Sequence, residues 1–207
     1  MQVSSKAPHS FSIILFDLGN VLVKVDYPAF LRALRFDHKM SERDLYTLLE
    51  EDSRAYETGK VNPEEYLRVV NAKLGTSYTF EEFREAWNAI LPEPIPGMTG
   101  LVESLAQIYR LMVLSNTNAL HREHMLEQLP VLRLFERLFL SFEIGALKPD
   151  PAVYDYVLSR VDVPARELLF IDDLEPNISA ARHTGMAGVV FRGAKSLKDE
   201  LARLRVI

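Results

Sequence analysis

Five short apolar runs, at residues 11–16, 111–114, 138–142, 168–171 and 189–191, punctuate this chain. Each is nearly continuous rather than alternating, which is the pattern of strands covered on both faces in a parallel sheet. Parallel strands need long crossovers, and helical patterns fill the intervals. Asp150-Pro151 reads as an N-cap with proline at the first helical position, opening PAVYDYVLSR. Asn177 reads as a cap for ISAARHT, and Gly185 stands where a left-handed residue would end that helix. From Gly97 onward strand and helix alternate. The expectation is an α/β fold: a three-layer, Rossmann-like core around a parallel sheet.

The interval 27–94 departs from this rhythm. It holds three helix-start signals, Ser41 with Asp44, Asn62-Pro63-Glu64-Glu65, and Thr79 with Glu82. Apolar residues follow at helical spacing: Tyr66, Leu67, Val70 and Leu74, then Phe80, Phe83, Trp87 and Ile90. No strand pattern survives there. The chain therefore divides into a loose tail (1–10), a core (11–26 and 95–207) and an all-helical insertion (27–94). The proline-rich return LPEPIPG, ending at Gly97, reads as a hinge. An insertion that leaves directly after the first strand stands over its carboxyl end and is placed to act as a lid.

Composition narrows the chemistry. A chain of 207 residues suits one domain with a modest insertion. Its formal net charge of −5 and the lack of a Lys/Arg block give no reason to expect nucleic acid. No apolar stretch has the length of a membrane span, and MQVSSKAPHS has no apolar core of a secretory signal. Cysteine is absent, which excludes disulfides, thiol nucleophiles and thiolate metal sites and fits a reducing cytoplasm. The expected partner is a small molecule.

Polar residues gather where the strands end, and ligands of open α/β sheets bind at those carboxyl ends. Asp17 closes the first run in FSIILFDLGNVLV. Alone it reads equally as a turn cap. Ser115 and Asn116 close the second, where a hydroxyl and backbone N–H groups suit a phosphoryl oxygen or an ordinary ST-turn. Lys148 precedes the Asp150-Pro151 helix start and brings a compact cation. Asp172 and Asp173 close the fourth run. Adjacent side chains on a strand point opposite ways, so one of the two faces the site unless the strand has ended. Carboxylates collected in one place need a cation or a proton between them.

The strings FDLGNV, LSNTN, KPDP and FIDD, in this order and spacing over roughly residues 12–192, resemble the haloacid dehalogenase superfamily in its subclass with a helical cap. Within it they are most similar to bacterial sugar-phosphate phosphatases of the α-D-glucose-1-phosphate type. The resemblance implies a magnesium-dependent phosphatase acting on a small phosphorylated metabolite. It implies that Asp17 attacks phosphorus to form an aspartyl-phosphate, that Asp17, Asp173 and the Gly19 carbonyl hold magnesium, and that Ser115, Asn116 and Lys148 bind the phosphoryl group. Asp172 stands behind these. Asn177 either orients Asp173 or caps its helix.

One position departs from the superfamily pattern. Typical members carry a second aspartate, a general acid and base, two residues after the nucleophile; here that position is Gly19. Losing such a group costs about 10²–10⁴-fold in rate. The substrate could then be an activated ester, or another residue such as Asp26 could supply the proton. A 2-haloacid dehalogenase also lacks the second aspartate, but needs no metal and does not keep the acidic pair Asp172-Asp173. A catalytically weak binding or scaffolding domain is the remaining alternative. His121 and His124 are expected to be solvated, and His183 exposed near its helix end. Trp87, Phe80 and Phe83 are expected in the core. Glu57-Thr58-Gly59 reads either as a substrate contact or as a turn ended by Gly59.

Overall fold

The computed structural model describes residues 11–34 and 42–207; the predicted tail (1–10) and Ser41 lie outside them. Five parallel strands, β1 (Ile13–Phe16), β2 (Arg110–Ser115), β3 (Arg137–Leu140), β4 (Leu168–Asp172) and β5 (Ala187–Val190), form one sheet in the order β3-β2-β1-β4-β5. The chain moves from β1 to β2 and β3, then returns across β1 to place β4. That reversal creates a switch point at the carboxyl end of β1. Phe16 sits opposite Val113 on one side and Ile171 on the other, so β1, β2 and β4 end at similar heights.

The continuous apolarity of the strands has a direct cause. Ile14 and Phe16 pack with Leu101 and Leu105 of α5 (Met98–Leu105), Leu120 and Met125 of α6 (Ala119–Gln128), and Leu197 and Leu201 of α10 (Ala194–Arg203). Ile13 and Leu15 face the other way, onto Val153, Tyr154 and Val157 of α8 (Pro151–Leu158) and Ile178 and Ala181 of α9 (Glu175–His183). Helices cover both faces, which gives the three layers. Each buried aliphatic side chain contributes about 1.5–3 kcal/mol.

Boundaries differ from the sequence reading in two places. The third run continues past its strand: β3 stops at Leu140, and Ser141 and Phe142 begin a short helix, α7 (Ser141–Ile144). The α9 helix begins at Glu175, with Leu174 at the cap position and no side-chain cap. Asn177 therefore lies inside its first turn and does not cap it. Asp150 behaves as read, its side chain accepting the Ala152 N–H at 2.9 Å.

Four helices lie between β1 and α5: α1 (Tyr27–Ala33), α2 (Glu42–Glu57), α3 (Pro63–Leu74) and α4 (Phe80–Asn88). Both predicted capping boxes form, Asn62 with Glu65 and Thr79 with Glu82. Their shared core is aromatic. Tyr56 stacks on Tyr66 at 4.7 Å between ring centroids, Phe83 stacks on Trp87 at 5.6 Å, and Phe30 meets Trp87 edge-on at 5.2 Å. The outgoing and returning connections run side by side, with the Lys24 N–H donating to the Glu93 carbonyl at 2.9 Å and the Ile95 N–H to the Leu22 carbonyl at 2.8 Å. The proline-rich return is thus half of a paired connector. No described helix is long and apolar enough to cross a membrane.

Candidate active site

Asp17 leaves the sheet directly after β1 and is 7% exposed. Its Oδ1 accepts the Leu18 N–H at 2.7 Å and lies 2.9 Å from the Lys148 ammonium. The same ammonium is 2.6 Å from Oδ2 of Asp172, which is fully buried at the end of β4. Asp172 also accepts the Leu174 N–H at 2.8 Å, and the Asn177 amide straddles its two oxygens at 2.9 and 3.0 Å. Asn177 thus orients Asp172, not Asp173. Burial lifts the Asp17 carboxyl to about 6, against the pull of Lys148. Burial also opposes the charge on Lys148, but Asp17 and Asp172 together outweigh it and hold the ammonium above its ordinary value.

Asp173 follows β4, is half-buried, and accepts a hydrogen bond from the Asn20 amide at 3.3 Å. Burial raises its carboxyl above the usual range, and Asp172 adds to the effect. Because the strand ends at Asp172, the alternation of adjacent side chains no longer applies. Carboxylate oxygens of Asp17, Asp172 and Asp173 come within 4.8 Å of one another. Three acids against one lysine is a donor set of hard oxygens with unbalanced negative charge, which fits a divalent cation such as magnesium. Asn20 was missed in the sequence. It sits at φ 54° in the turn after Gly19, its side-chain amide oxygen Oδ1 accepting the Val25 N–H at 3.2 Å.

Ser115 is buried at the end of β2. The neighbouring Asn116 side chain clasps the backbone of Lys148, accepting its N–H at 2.8 Å and donating to its carbonyl at 3.0 Å. The lysine is therefore set in place by the residue next to Ser115. Further along the loop, the Ser141 hydroxyl accepts the Thr117 N–H at 2.9 Å and lies 2.7 Å from the carbonyl of Glu57 in α2. It ties the helical insert to the core.

His121 overturns its expectation. It is 8% exposed, stacked on Trp87 at 5.3 Å, with Nε2 2.9 Å from the Trp87 carbonyl and Nδ1 3.2 Å from the Asn118 amide. A ring donating from Nε2 and accepting at Nδ1 is neutral, and burial pushes it down to about 4. His183 is exposed, as read.

These groups line one cavity of about 500 Å³ between the strand ends and the insert. Asp17, Gly19, Ser115, Asn116, Lys148 and Asp173 form its core wall, and Asn177 also borders it. Phe30, Leu49 and Trp87 are among the insert residues that face it, with Ser53, Arg54 and Glu57. Asp26 is not among the cavity's walls; its carboxylate pairs with Arg32.

The family model for haloacid dehalogenase-like hydrolases matches residues 14–191. The chain is 28% identical over 183 residues to the D-ribitol-5-phosphate phosphatase of Bacteroides thetaiotaomicron, covering 83% of this chain and 87% of that protein. It is 28% identical over 199 residues to the sesquiterpene phosphatase astK of Aspergillus oryzae, covering 94% and 97%. Among solved structures, the HAD-family enzyme bt-2542 of Bacteroides thetaiotaomicron, in complex with magnesium and inorganic phosphate, superposes with a TM-score of 0.79. That match has 25% identity over 88% of this chain and 95% of the other. With its sheet order, its strand-end residues and a family match across most of its length, this chain belongs to the haloacid dehalogenase-like hydrolases.

Proposed function

We propose that this chain is a magnesium-dependent phosphatase that hydrolyses a small phosphomonoester, of the sugar or sugar-alcohol phosphate class, through an aspartyl-phosphate on Asp17. One observation carries the reading: Lys148 bridges Asp17 and Asp172 at the buried end of the sheet, beside a third carboxylate. A carboxylate so placed is a competent nucleophile toward phosphorus once the charge of the ester is neutralised. Asp17, Asp173 and the Gly19 carbonyl would hold magnesium. When bound, it would supply that neutralisation and a fixed orientation for the phosphoryl oxygens.

The chain's own groups do the rest. The Lys148 ammonium offers positive charge to the phosphoryl group, and Ser115 with the backbone N–H groups of its loop offers donors. Asn116 serves by fixing Lys148. Asp172, held by Asn177 and Leu174, anchors Lys148 without reaching the substrate. Closure of the insert over the strand ends would exclude water from the phosphoryl group. The sugar-phosphate class draws support from the ribitol-5-phosphate relative, and the polar groups Ser53, Arg54 and Glu57 on the insert wall suit hydroxyls.

The test is phosphate release from a panel of sugar and polyol phosphates, with and without magnesium, using wild type and Asp17→Asn, beside chloride release from 2-haloacids. Magnesium-dependent phosphate release that vanishes in Asp17→Asn supports the reading. Metal-independent chloride release would overturn it in favour of a dehalogenase.

A further inference from the structure

We propose that Glu57 donates the proton to the departing oxygen, so that the insert supplies the general acid that Gly19 omits from the core. The inference rests on the phosphatase reading above. The usual place for this acid is crowded: a Cβ on Gly19 would stand 3.1 Å from the Val25 Cγ2 atom, so that side chain would have to give by a few tenths of an ångström. Asp26, the nearby alternative, pairs with Arg32 and does not border the cavity. Among the described residues four carboxyls border it, those of Asp17, Glu50, Glu57 and Asp173. Asp17 and Asp173 belong to the strand-end cluster, and Glu50 is exposed. Glu57 remains. It is partly buried, and its carboxyl feels burial and the Arg54 charge but no hydrogen bond among the described residues.

Its position is fixed from two sides. The Glu57 carbonyl lies 2.7 Å from the Ser141 hydroxyl, which accepts the N–H of Thr117, two residues beyond Ser115. Gly59 follows at φ 69°, and a Cβ there would stand 2.3 Å from the Phe142 carbonyl oxygen. Only glycine lets this turn close against the core. The reading of Glu57-Thr58-Gly59 as a turn and its reading as a substrate contact are therefore one device. The turn carries an acid to the loop that holds Ser115.

The environment brings the proton affinity of that acid close to neutrality, where it both holds and releases a proton. Burial pushes its carboxyl up to about 7, against the pull of Arg54. The other ionisable groups lining the cavity among the described residues are Tyr27 from α1, Glu50 from α2, Tyr66 from α3, neutral His121 from α6, and Lys148, Asp17 and Asp173 across it. A general acid works best with an affinity near the working pH. In the first step Asp17 Oδ bonds to phosphorus and the bond to the leaving oxygen breaks. That oxygen keeps the electron pair and takes the Glu57 proton, leaving as an alcohol. In the second step a water oxygen attacks phosphorus and passes a proton to the Glu57 carboxylate. The phosphorus–Asp17 bond breaks with its electron pair returning to Asp17, and phosphate departs.

The experiment compares wild type, Glu57→Gln and Glu57→Asp, all full-length with magnesium, on ribitol 5-phosphate and on p-nitrophenyl phosphate. The nitrophenolate needs no proton to leave; the polyol does. Glu57→Gln is expected to lose about 10²–10⁴-fold in the first-turnover release of ribitol from ribitol 5-phosphate and far less in the first-turnover burst of p-nitrophenolate, the step before water attacks being the one in which the two esters differ. The decline of the wild-type rate on the polyol ester above about pH 7 should vanish with it. Glu57→Asp, which keeps a carboxyl, should recover part of the loss. Equal losses on both esters, or none on either, would overturn the proposal. If wild type releases no phosphate from p-nitrophenyl phosphate, the phosphatase reading fails first, and this one with it.

Discussion

The two walls of the cavity are built on opposite principles. On the core wall the acids are engaged: Asp17 and Asp172 by Lys148 and backbone N–H groups, Asp172 also by Asn177, and Asp173 by Asn20. On the insert wall Trp87, Phe30 and Leu49 present apolar surface, and Glu57 faces the space with its carboxyl unbonded among the described residues. Buried charge is tolerated only when it is paired and hydrogen-bonded, so the core wall has little freedom. The insert wall rests on aromatic packing, which fixes shape rather than charge. On the proposed reading the core would determine what reaction is possible, and the insert what is held and how its leaving group departs.

The comparison breaks most sharply at Asp17. Asp17→Asn keeps the shape and removes the proposed nucleophile, and is expected to lower magnesium-dependent phosphate release by about 10⁴-fold or more. Phosphate assays on the refolding-competent variant would measure it; a loss under tenfold would mean the core wall does not carry the reaction.

Lys148→Ala tests the pairing itself. It leaves Asp17 and Asp172 without their shared cation, and removing one partner of a buried ion pair costs about 3–5 kcal/mol. Urea unfolding should show that loss at neutral pH. A variant as stable as wild type would show that the core wall does not depend on its charge pairing.

His121 probes the seam between the walls through pH. Its folded-state value lies near 4, below the ordinary 6.5, because burial disfavours the charged ring. Its contribution to stability is therefore complete above about 6.5 and lost as pH falls toward about 4, a change of about 3 kcal/mol. Glu57 runs the other way: its contribution is complete below the ordinary value and lost as pH rises through about 7. Unfolding midpoints measured from pH 4 to 8 should show a shallower acid limb in His121→Gln. Identical limbs would mean that the histidine is not held neutral.

The smallest effect is expected at Gly59. Gly59→Ala places a Cβ against the Phe142 carbonyl at positive φ and should cost about 1–3 kcal/mol. It should raise KM and lower kcat more for a polyol phosphate than for p-nitrophenyl phosphate, since it displaces Glu57 while sparing Asp17. Unchanged kinetics would separate the turn from the site.

Much of this was legible in the chain. The apolar runs and the capping boxes at Asn62 and Thr79 declare themselves locally, because burial on both faces and orphan N–H groups constrain nearby residues. Asp17, Ser115, Asp172 and Asp173 were legible as strand-end groups, and Lys148 as a cation just before a helix start. Asn177 was legible as a partner of the acidic pair but not as the clasp of Asp172. His121 was misread because histidine spacing says nothing of what packs on the helix; the indole of Trp87, 34 residues away, stacks on it.

The sequence by itself determined the layers, the place of the insertion and the residues at the strand ends, since these follow from periodicity and from turn and cap chemistry over a few neighbours. Tertiary structure alone decided which cavity acids are hydrogen-bonded among the described residues, which asparagine holds which group, and that Asp26 stands aside while Glu57 comes in. Those outcomes depend on contacts between segments far apart in the chain, such as Ser141 with both Glu57 and Thr117. No local pattern records them.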